Sequence, residues 1–156
     1  MRPARRRERT LSMTKPKTAE DLIEDFELLD NWEDRYRFVI ELGRSLPDLP
    51  EELRTEANKV QGCASQVWLV GARRDTADGP VLDYRGDSDA HIVRGLVAVL
   101  LTVLSGHTAK EILETDALAV FRRIGLEGHL TPQRSNGLRS MVERIRADAR
   151  AALATA

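Results

Sequence analysis

The stretch from Leu96 to Leu104 constrains the fold of this chain most strongly. Among its nine residues only Thr102 is polar. A helix that is apolar on nearly all sides has to be buried, and nine helical residues span about 14 Å, less than half the thickness of a bilayer core. We therefore predict a central buried helix against which the other elements pack.

Signals for shorter helices lie on both sides of this stretch. Each combines a residue whose side chain can cap a helix with apolar residues at helical spacing. The residues predicted to begin these helices are Thr18, Asp30 or Asn31, Thr108, Asp116 and Thr131. Asp89, in the Gly86–Asp89 stretch, is predicted to cap the central helix.

Three predicted strands lie between the second helix and the central one. They cover residues 59–61, 65–73 and 81–85, and the Asp78-Gly79 pair suits the turn before the last of them. The last strand alternates apolar and polar residues, which is typical of a sheet with one solvated face. We predict an α+β domain in which helices cover one face of a three-stranded antiparallel sheet.

The first 17 residues differ in charge from the rest of the chain. They hold seven basic residues and one acidic residue, which leaves a charge of −7 on the remainder, against −1 for the whole chain. A basic run can bind nucleic acid or serve as a targeting peptide, but no apolar segment follows it, which excludes a secretory signal. We predict a disordered tail at 1–17, or a true start at Met13, ahead of a single domain at 18–156, with no nucleic-acid or membrane partner.

Cys63 is the only cysteine in the chain. One cysteine cannot form an internal disulfide, so nothing in the sequence indicates an oxidising compartment. A tetrahedral zinc site would require His91, His107 and His129 to converge on this thiol. We therefore predict that the chain binds no metal.

The position of Cys63 in a predicted turn makes it a candidate nucleophile. Gly62 can adopt a positive φ, so the backbone can turn sharply and present the next side chain at a tip. Gly62, Ala64 and Ser65 are too small to bury the thiol by themselves. A lone cysteine is more often a small buried apolar residue, and spacing alone leaves the two interpretations equal.

Four segments of the chain resemble blocks of one known family. GCASQVW at 62–68 is similar to the GCxSQVW signature of the SufE sulfur-acceptor proteins. The other three are NWEDRYRFVIELGRSLP at 31–47, GDSDAHIVRGL at 86–96 and HLTPQRSNGL at 129–138. They follow one another in the family's order and cover nearly all of the chain after about residue 18.

The resemblance to SufE implies both a fold and a function. The fold would be the helix-covered antiparallel sheet already predicted, which the iron–sulfur scaffolds of the U type share. The chain would not be an enzyme. It would accept persulfide sulfur on Cys63 from a SufS-like cysteine desulfurase, stimulate that enzyme and deliver the sulfur to a SufBCD-like scaffold complex in the cytoplasm. Pyridoxal phosphate would belong to the desulfurase, and this chain would carry no cofactor.

The resemblance also implies residues that support the thiol. The attacking species in such an exchange is the thiolate, which nearby positive charge stabilises. Arg134 and His129, from the fourth block, are expected to lie near the thiol. The other expected supporting residues are Asp89, Gln61, Ser65 and Gln66.

A glycine inside the last predicted helix points to the same site. Gly137 weakens a helix by about 1 kcal/mol relative to alanine, which suggests that another backbone passes close to it. We expect this backbone to be the Cys63 loop. The loop tip is expected to be mobile and to rest in an apolar hollow when the protein is alone.

Three alternatives stay open from the sequence. The chain could serve a different desulfurase in another sulfur pathway. It could be a cysteine hydrolase that pairs Cys63 with a histidine, or a cluster scaffold, for which one cysteine is too few. The chain departs from the family pattern at Ala64, at Arg122-Arg123 and in residues 1–17, and the second departure bears on the charges that a desulfurase would meet.

Overall fold

The computed structural model describes residues 18–156, and the predictions for residues 1–17 lie outside the described residues. In chain order, the helices are α1 (Ala19–Glu27), α2 (Trp32–Arg44), α3 (His91–Leu104), α4 (Ala109–Glu114), α5 (Ala117–Arg123) and α6 (Pro132–Ala154). The strands are β1 (Val67–Thr76), β2 (Gly79–Ser88) and β3 (His107–Thr108). Short 3₁₀ turns lie at Glu51–Leu53 and Glu127–His129.

Five of the helices begin directly after the capping residues that were predicted from the sequence. In each case the side-chain oxygen of the residue before the helix accepts a hydrogen bond from the amide three residues later. These amides have no partner inside the helix, so the caps stabilise its first turn. The confirmed caps are Thr18, Asn31, Thr108, Asp116 and Thr131.

The three strands form one antiparallel sheet in the order β1-β2-β3. The pairing of β1 with β2 runs from Val67 opposite Ser88 to Thr76 opposite Gly79, and Gly79 has a φ of +115°. Leu82 is buried toward the helices, whereas Arg85, on the other face, is exposed. The α+β class and the antiparallel sheet are therefore confirmed. The predicted solvated face is only partly correct, because Trp68, Val81 and Asp87 lie on the same face as Arg85 and are buried.

The predicted strand at 59–61 is wrong in detail. Among the described residues, Lys59 makes a single bridge to Trp68, and only two backbone hydrogen bonds support it. After Val60 the chain turns at Gly62, where φ is +89°, and leaves the sheet edge for α6. The third strand is instead β3, whose two residues pair with Val81 and Leu82.

Helix α3 is the central helix that the apolar run predicted. Nearly all of its side chains are buried, from Ile92 to Leu104. Gly95 lets α2 pack closely, because a Cβ there would lie 2.3 Å from the Val39 carbonyl oxygen. Within residues 18–156, no helix is long and apolar enough to cross a membrane.

Asp89 does not cap α3 as predicted. The residue at the cap position is Ala90, and no side chain caps this helix. The Asp89 carboxylate instead accepts a hydrogen bond of 3.0 Å from the backbone N–H of Gln66. A tertiary contact with Gln66, three residues after Cys63, has therefore replaced the predicted helix cap.

Candidate functional site

Cys63 lies at the tip of a loop that is pressed against α6. We refer to residues 61–65 as the Cys63 loop. The positive φ of Gly62 favours glycine there, and a Cβ at this position would lie 2.5 Å from the Ser140 Oγ, which shows how closely the loop approaches α6. The loop therefore lies on the α6 surface rather than projecting into solvent.

The thiol itself touches the backbone of α6. The Cys63 Sγ lies 3.5 Å from the carbonyl oxygen of Gly137, to which it can donate a hydrogen bond. A Cβ on Gly137 would lie 3.3 Å from this sulfur. The expected passage of the Cys63 loop past Gly137 is confirmed, and it explains a glycine inside a helix of 23 residues.

A small surface pocket surrounds the half-buried thiol. Its empty volume, which includes open solvent, is about 280 Å³. We call it the Cys63 pocket. Its lining residues are Cys63, Ala64, Ser65, Val93, Leu96, Gln133, Arg134, Gly137 and Met141. The inner side chains are apolar, which confirms the expected apolar hollow.

The surroundings of the thiol favour its protonated form. Burial raises the pKa of the Cys63 thiol, because a thiolate loses hydration there. The contact with the Gly137 carbonyl acts in the same direction, since only the protonated sulfur can donate to it. In this conformation Cys63 is therefore a weak nucleophile at neutral pH.

Arg134 is the positively charged residue that lines the Cys63 pocket, and a positive charge is what would stabilise a thiolate there. It lies in the first turn of α6, lines the Cys63 pocket and is partly buried. Among residues 18–156, no carboxylate lies within 4.0 Å of its guanidinium group, so no ion pair with these residues neutralises its charge. The amino end of α6 adds a positive dipole on the same side.

Asp89 and Gln66 hold the end of the Cys63 loop where it enters β1. Besides the bond to the Asp89 carboxylate, the Gln66 carbonyl accepts a hydrogen bond of 3.3 Å from the Asp89 amide. Ser65 lines the pocket, whereas Gln61 is exposed and its side chain bonds to no other described residue. These contacts position the loop, and the side chains of Asp89 and Gln66 do not line the pocket.

His129 is not brought to the thiol. Its ring stacks on Trp32 at a centroid distance of 3.9 Å and an interplanar angle of 8°. His91 and His107 are exposed, and neither lines the Cys63 pocket. Among the described residues, no group of three or more histidine, cysteine or acidic side chains could hold a metal ion.

A buried ion-pair network was not foreseen from the sequence. The side chain of Asp87 is fully buried and lies 2.7 Å from Arg54 and 3.2 Å from Arg94. The Arg54 guanidinium also lies 4.9 Å from the ring centre of Trp68. This network holds the segment before the Cys63 loop against the sheet, and no local spacing pattern joins residues so far apart.

Comparisons with known proteins show which family this chain resembles. A sequence model of the SufE family, described as an Fe-S metabolism associated domain, matches residues 20–149. An uncharacterized SufE-like protein of Rhizobium meliloti (strain 1021) is 58% identical over 130 residues, which are 83% of this chain and 93% of the relative. One of Rhizobium etli is 58% identical over 131 residues, 84% of this chain and 88% of the relative.

A solved structure supports the fold as well. The solution structure of a hypothetical protein from Thermus thermophilus superimposes with a TM-score of 0.68 at 25% identity. The match covers 87% of this chain and 96% of that protein. Since the family's sequence model spans most of the chain and the relatives match over nearly their whole length, the chain belongs to the SufE family.

Proposed function

We propose that this chain accepts sulfane sulfur on Cys63 from a pyridoxal-phosphate cysteine desulfurase, stimulates that enzyme and delivers the sulfur for iron–sulfur cluster assembly. The observation that carries the proposal is the placement of the only cysteine. It lies at a loop tip, in a small surface pocket beside the amino end of α6. Membership of a family associated with Fe-S metabolism supports the same role.

The proposed step is a thiol–persulfide exchange. The Cys63 thiolate attacks the terminal sulfur of a persulfide on the desulfurase cysteine. One S–S bond forms to Cys63 as the other breaks, and the electron pair leaves on the desulfurase sulfur as a thiolate. The exchange is redox-neutral and requires no cofactor on this chain.

The resting conformation is poorly suited to this attack, which suggests how the thiol is controlled. Burial and the Gly137 carbonyl keep the sulfur protonated. Movement of the Cys63 loop away from α6 would remove both effects and lower the pKa of the thiol. Contact with a desulfurase would then expose the nucleophile only where its sulfur donor is present.

Arg134 is the residue proposed to assist the thiolate. Arg134 lines the pocket, and its guanidinium group has no carboxylate partner within 4.0 Å among residues 18–156. A cation within a few ångströms of a thiolate favours the ionised form. Arg134 would therefore stabilise the Cys63 thiolate as the loop begins to leave the pocket, and the charged persulfide once the loop has returned to it.

The lone cysteine fits a carrier better than a hydrolase. With one cysteine in the chain, a Cys63 persulfide cannot be discharged by an internal resolving thiol. It can therefore persist until a second protein, proposed to be the cluster scaffold complex, removes the sulfur. A hydrolase would need an imidazole beside the thiol, and no histidine of the described chain lines the pocket.

Desulfurase turnover tests this proposal. The cysteine desulfurase of the same genome is assayed for alanine formation from L-cysteine, with no addition, with this chain, or with its Cys63→Ser variant. The proposal predicts faster turnover with the wild-type chain and none of that increase with the variant. Equal stimulation by both chains would exclude Cys63 as the sulfur acceptor.

A further inference from the structure

The backbone that leads to the thiol follows one face of α6 for several residues. Gly137, Ser140 and Arg144 are three or four residues apart and so lie on one helix face. Gly137 contacts Cys63 and Ser140 contacts Gly62. One turn further on, Arg144 donates hydrogen bonds to two carbonyl oxygens, of Ala57 at 2.9 Å and Lys59 at 3.5 Å.

Arg144 links α6 to the segment before the Cys63 loop, which is attached separately to the edge of β1. Residues 58–60 are fixed to the edge of β1 by the hydrogen bonds from Val60 to Val67, of 2.8 Å, and from Leu69 to Asn58, of 2.9 Å. The pocket that receives the thiol, however, is built largely on α6. The position of the thiol relative to its pocket therefore depends on how α6 is tied to this sheet edge.

The guanidinium group of Arg144 is itself held in place. Its Nε lies 3.7 Å from the Asp148 carboxylate, one turn further along α6. The same carboxylate accepts a hydrogen bond of 2.6 Å from the Tyr84 hydroxyl group on β2. The side chain of Arg144 is 29% exposed, so its bonds are only partly screened by water.

We propose that Arg144 is a positioning residue that holds Cys63 in its pocket. By tying residues 57 and 59 to α6, it favours the docked conformation in which the thiol is shielded. That this docking controls sulfur transfer rests on the proposed function. The docking itself does not, and it can be measured on the chain alone.

The test compares Arg144→Met with Arg150→Met. Both changes remove one positive charge from α6 and keep much of the side-chain length, but within residues 18–156 Arg150 pairs only with the exposed Glu143. The probe is iodoacetamide, and intact mass gives the rate of Cys63 alkylation. We expect alkylation of the Arg144 variant to be about fivefold faster than wild type, which corresponds to about 1 kcal/mol of lost docking. The Arg150 variant should react at the wild-type rate.

A low-urea series separates loop release from general destabilisation. Local opening exposes little surface, so its alkylation rate should hardly change with urea below the unfolding transition, whereas reaction through global unfolding rises with the full unfolding slope. A faster rate with a flat urea dependence supports the proposal. An unchanged rate, or a faster rate that follows the global slope, overturns it.

The same variants keep this inference distinct from the proposed function. Sulfur loading by the desulfurase is measured in parallel on wild type and Arg144→Met. If alkylation responds as expected but no chain gains sulfur, the positioning role stands and the acceptor role fails. If wild type gains sulfur but alkylation is the same in both, the acceptor role stands and the positioning role fails.

Discussion

Replacing Gly137 by alanine should separate the stability of α6 from the docking of the Cys63 loop. The added Cβ would lie 3.3 Å from the Cys63 Sγ and 3.7 Å from the Cys63 Cα. Ordinary contacts between such atoms are about 3.5 to 4.0 Å. The loop tip would thus have to withdraw by a few tenths of an ångström, and the thiol's contact with the Gly137 carbonyl would weaken.

Two opposite free-energy changes follow from this substitution. Alanine stabilises a helix interior by about 1 kcal/mol relative to glycine. Loss of loop docking opposes this gain by up to about 1 kcal/mol, the usual contribution of one weak hydrogen bond with its packing. The free energy of unfolding should therefore stay within about 1 kcal/mol of wild type, while Cys63 is alkylated several-fold faster.

Urea unfolding followed by tryptophan fluorescence, together with iodoacetamide alkylation, measures both quantities. Asn136→Ala is the matched control, since Asn136 is an exposed α6 residue outside the Cys63 pocket. It should raise stability by a few tenths of a kcal/mol without changing alkylation. A loss of more than about 2 kcal/mol in Gly137→Ala with unchanged alkylation would refute the reasoning, because the loop would then be a rigid part of the core.

Three further predictions follow from the site and its surroundings. Asp87→Asn should lower the free energy of unfolding by about 3 kcal/mol in a urea titration, because Arg54 loses its carboxylate partner and Arg94 keeps only the exposed Asp48. A loss below about 1 kcal/mol would contradict this. The alkylation rate of native Cys63 should rise with pH through a higher midpoint than in the urea-unfolded chain, because burial raises the pKa of the thiol; an equal or lower midpoint would show that it is not desolvated. With the desulfurase present, Arg134→Met should slow sulfur acceptance by about tenfold, the effect of losing about 1.4 kcal/mol of thiolate stabilisation. Arg139→Met, an exposed α6 control outside the Cys63 pocket, should not slow it.

Features that depend on neighbouring residues were predictable from the sequence. A cap and the amide it binds are three residues apart, so Thr108 and Asp116 identify helix starts without knowledge of the fold. The central helix α3 followed from an apolar run that leaves it no polar face. Gly137 marked a close approach, since nothing local explains a glycine at that point of a helix.

Features that depend on distant partners were missed. Asp89 could cap a helix, but its carboxylate instead accepts a hydrogen bond from the backbone N–H of Gln66, 23 residues away. Strand β3 has only two residues, too few to show alternation. Arg144 was not identified as a candidate from the sequence, because the carbonyls it binds lie 85 and 87 residues earlier in the chain.

The placement of His129 away from the thiol also depends on a partner that is distant in the sequence. Its position in a family block did not show which way its side chain points. Its stacking partner, Trp32, lies on α2, far away in the sequence. The same block did bring Arg134 to the pocket. Sequence alone could thus nominate the candidate residues, whereas tertiary packing decided which of them meet the thiol.

The most direct test of the central claim is the intact mass of the chain after incubation with L-cysteine and the desulfurase of the same genome. We expect wild type to gain the mass of one sulfur atom, a reductant to remove it, and Cys63→Ser to gain nothing. A wild-type chain that gains no sulfur while the desulfurase turns over, or a Cys63→Ser chain that gains as much, would rule out Cys63 as the sulfur acceptor.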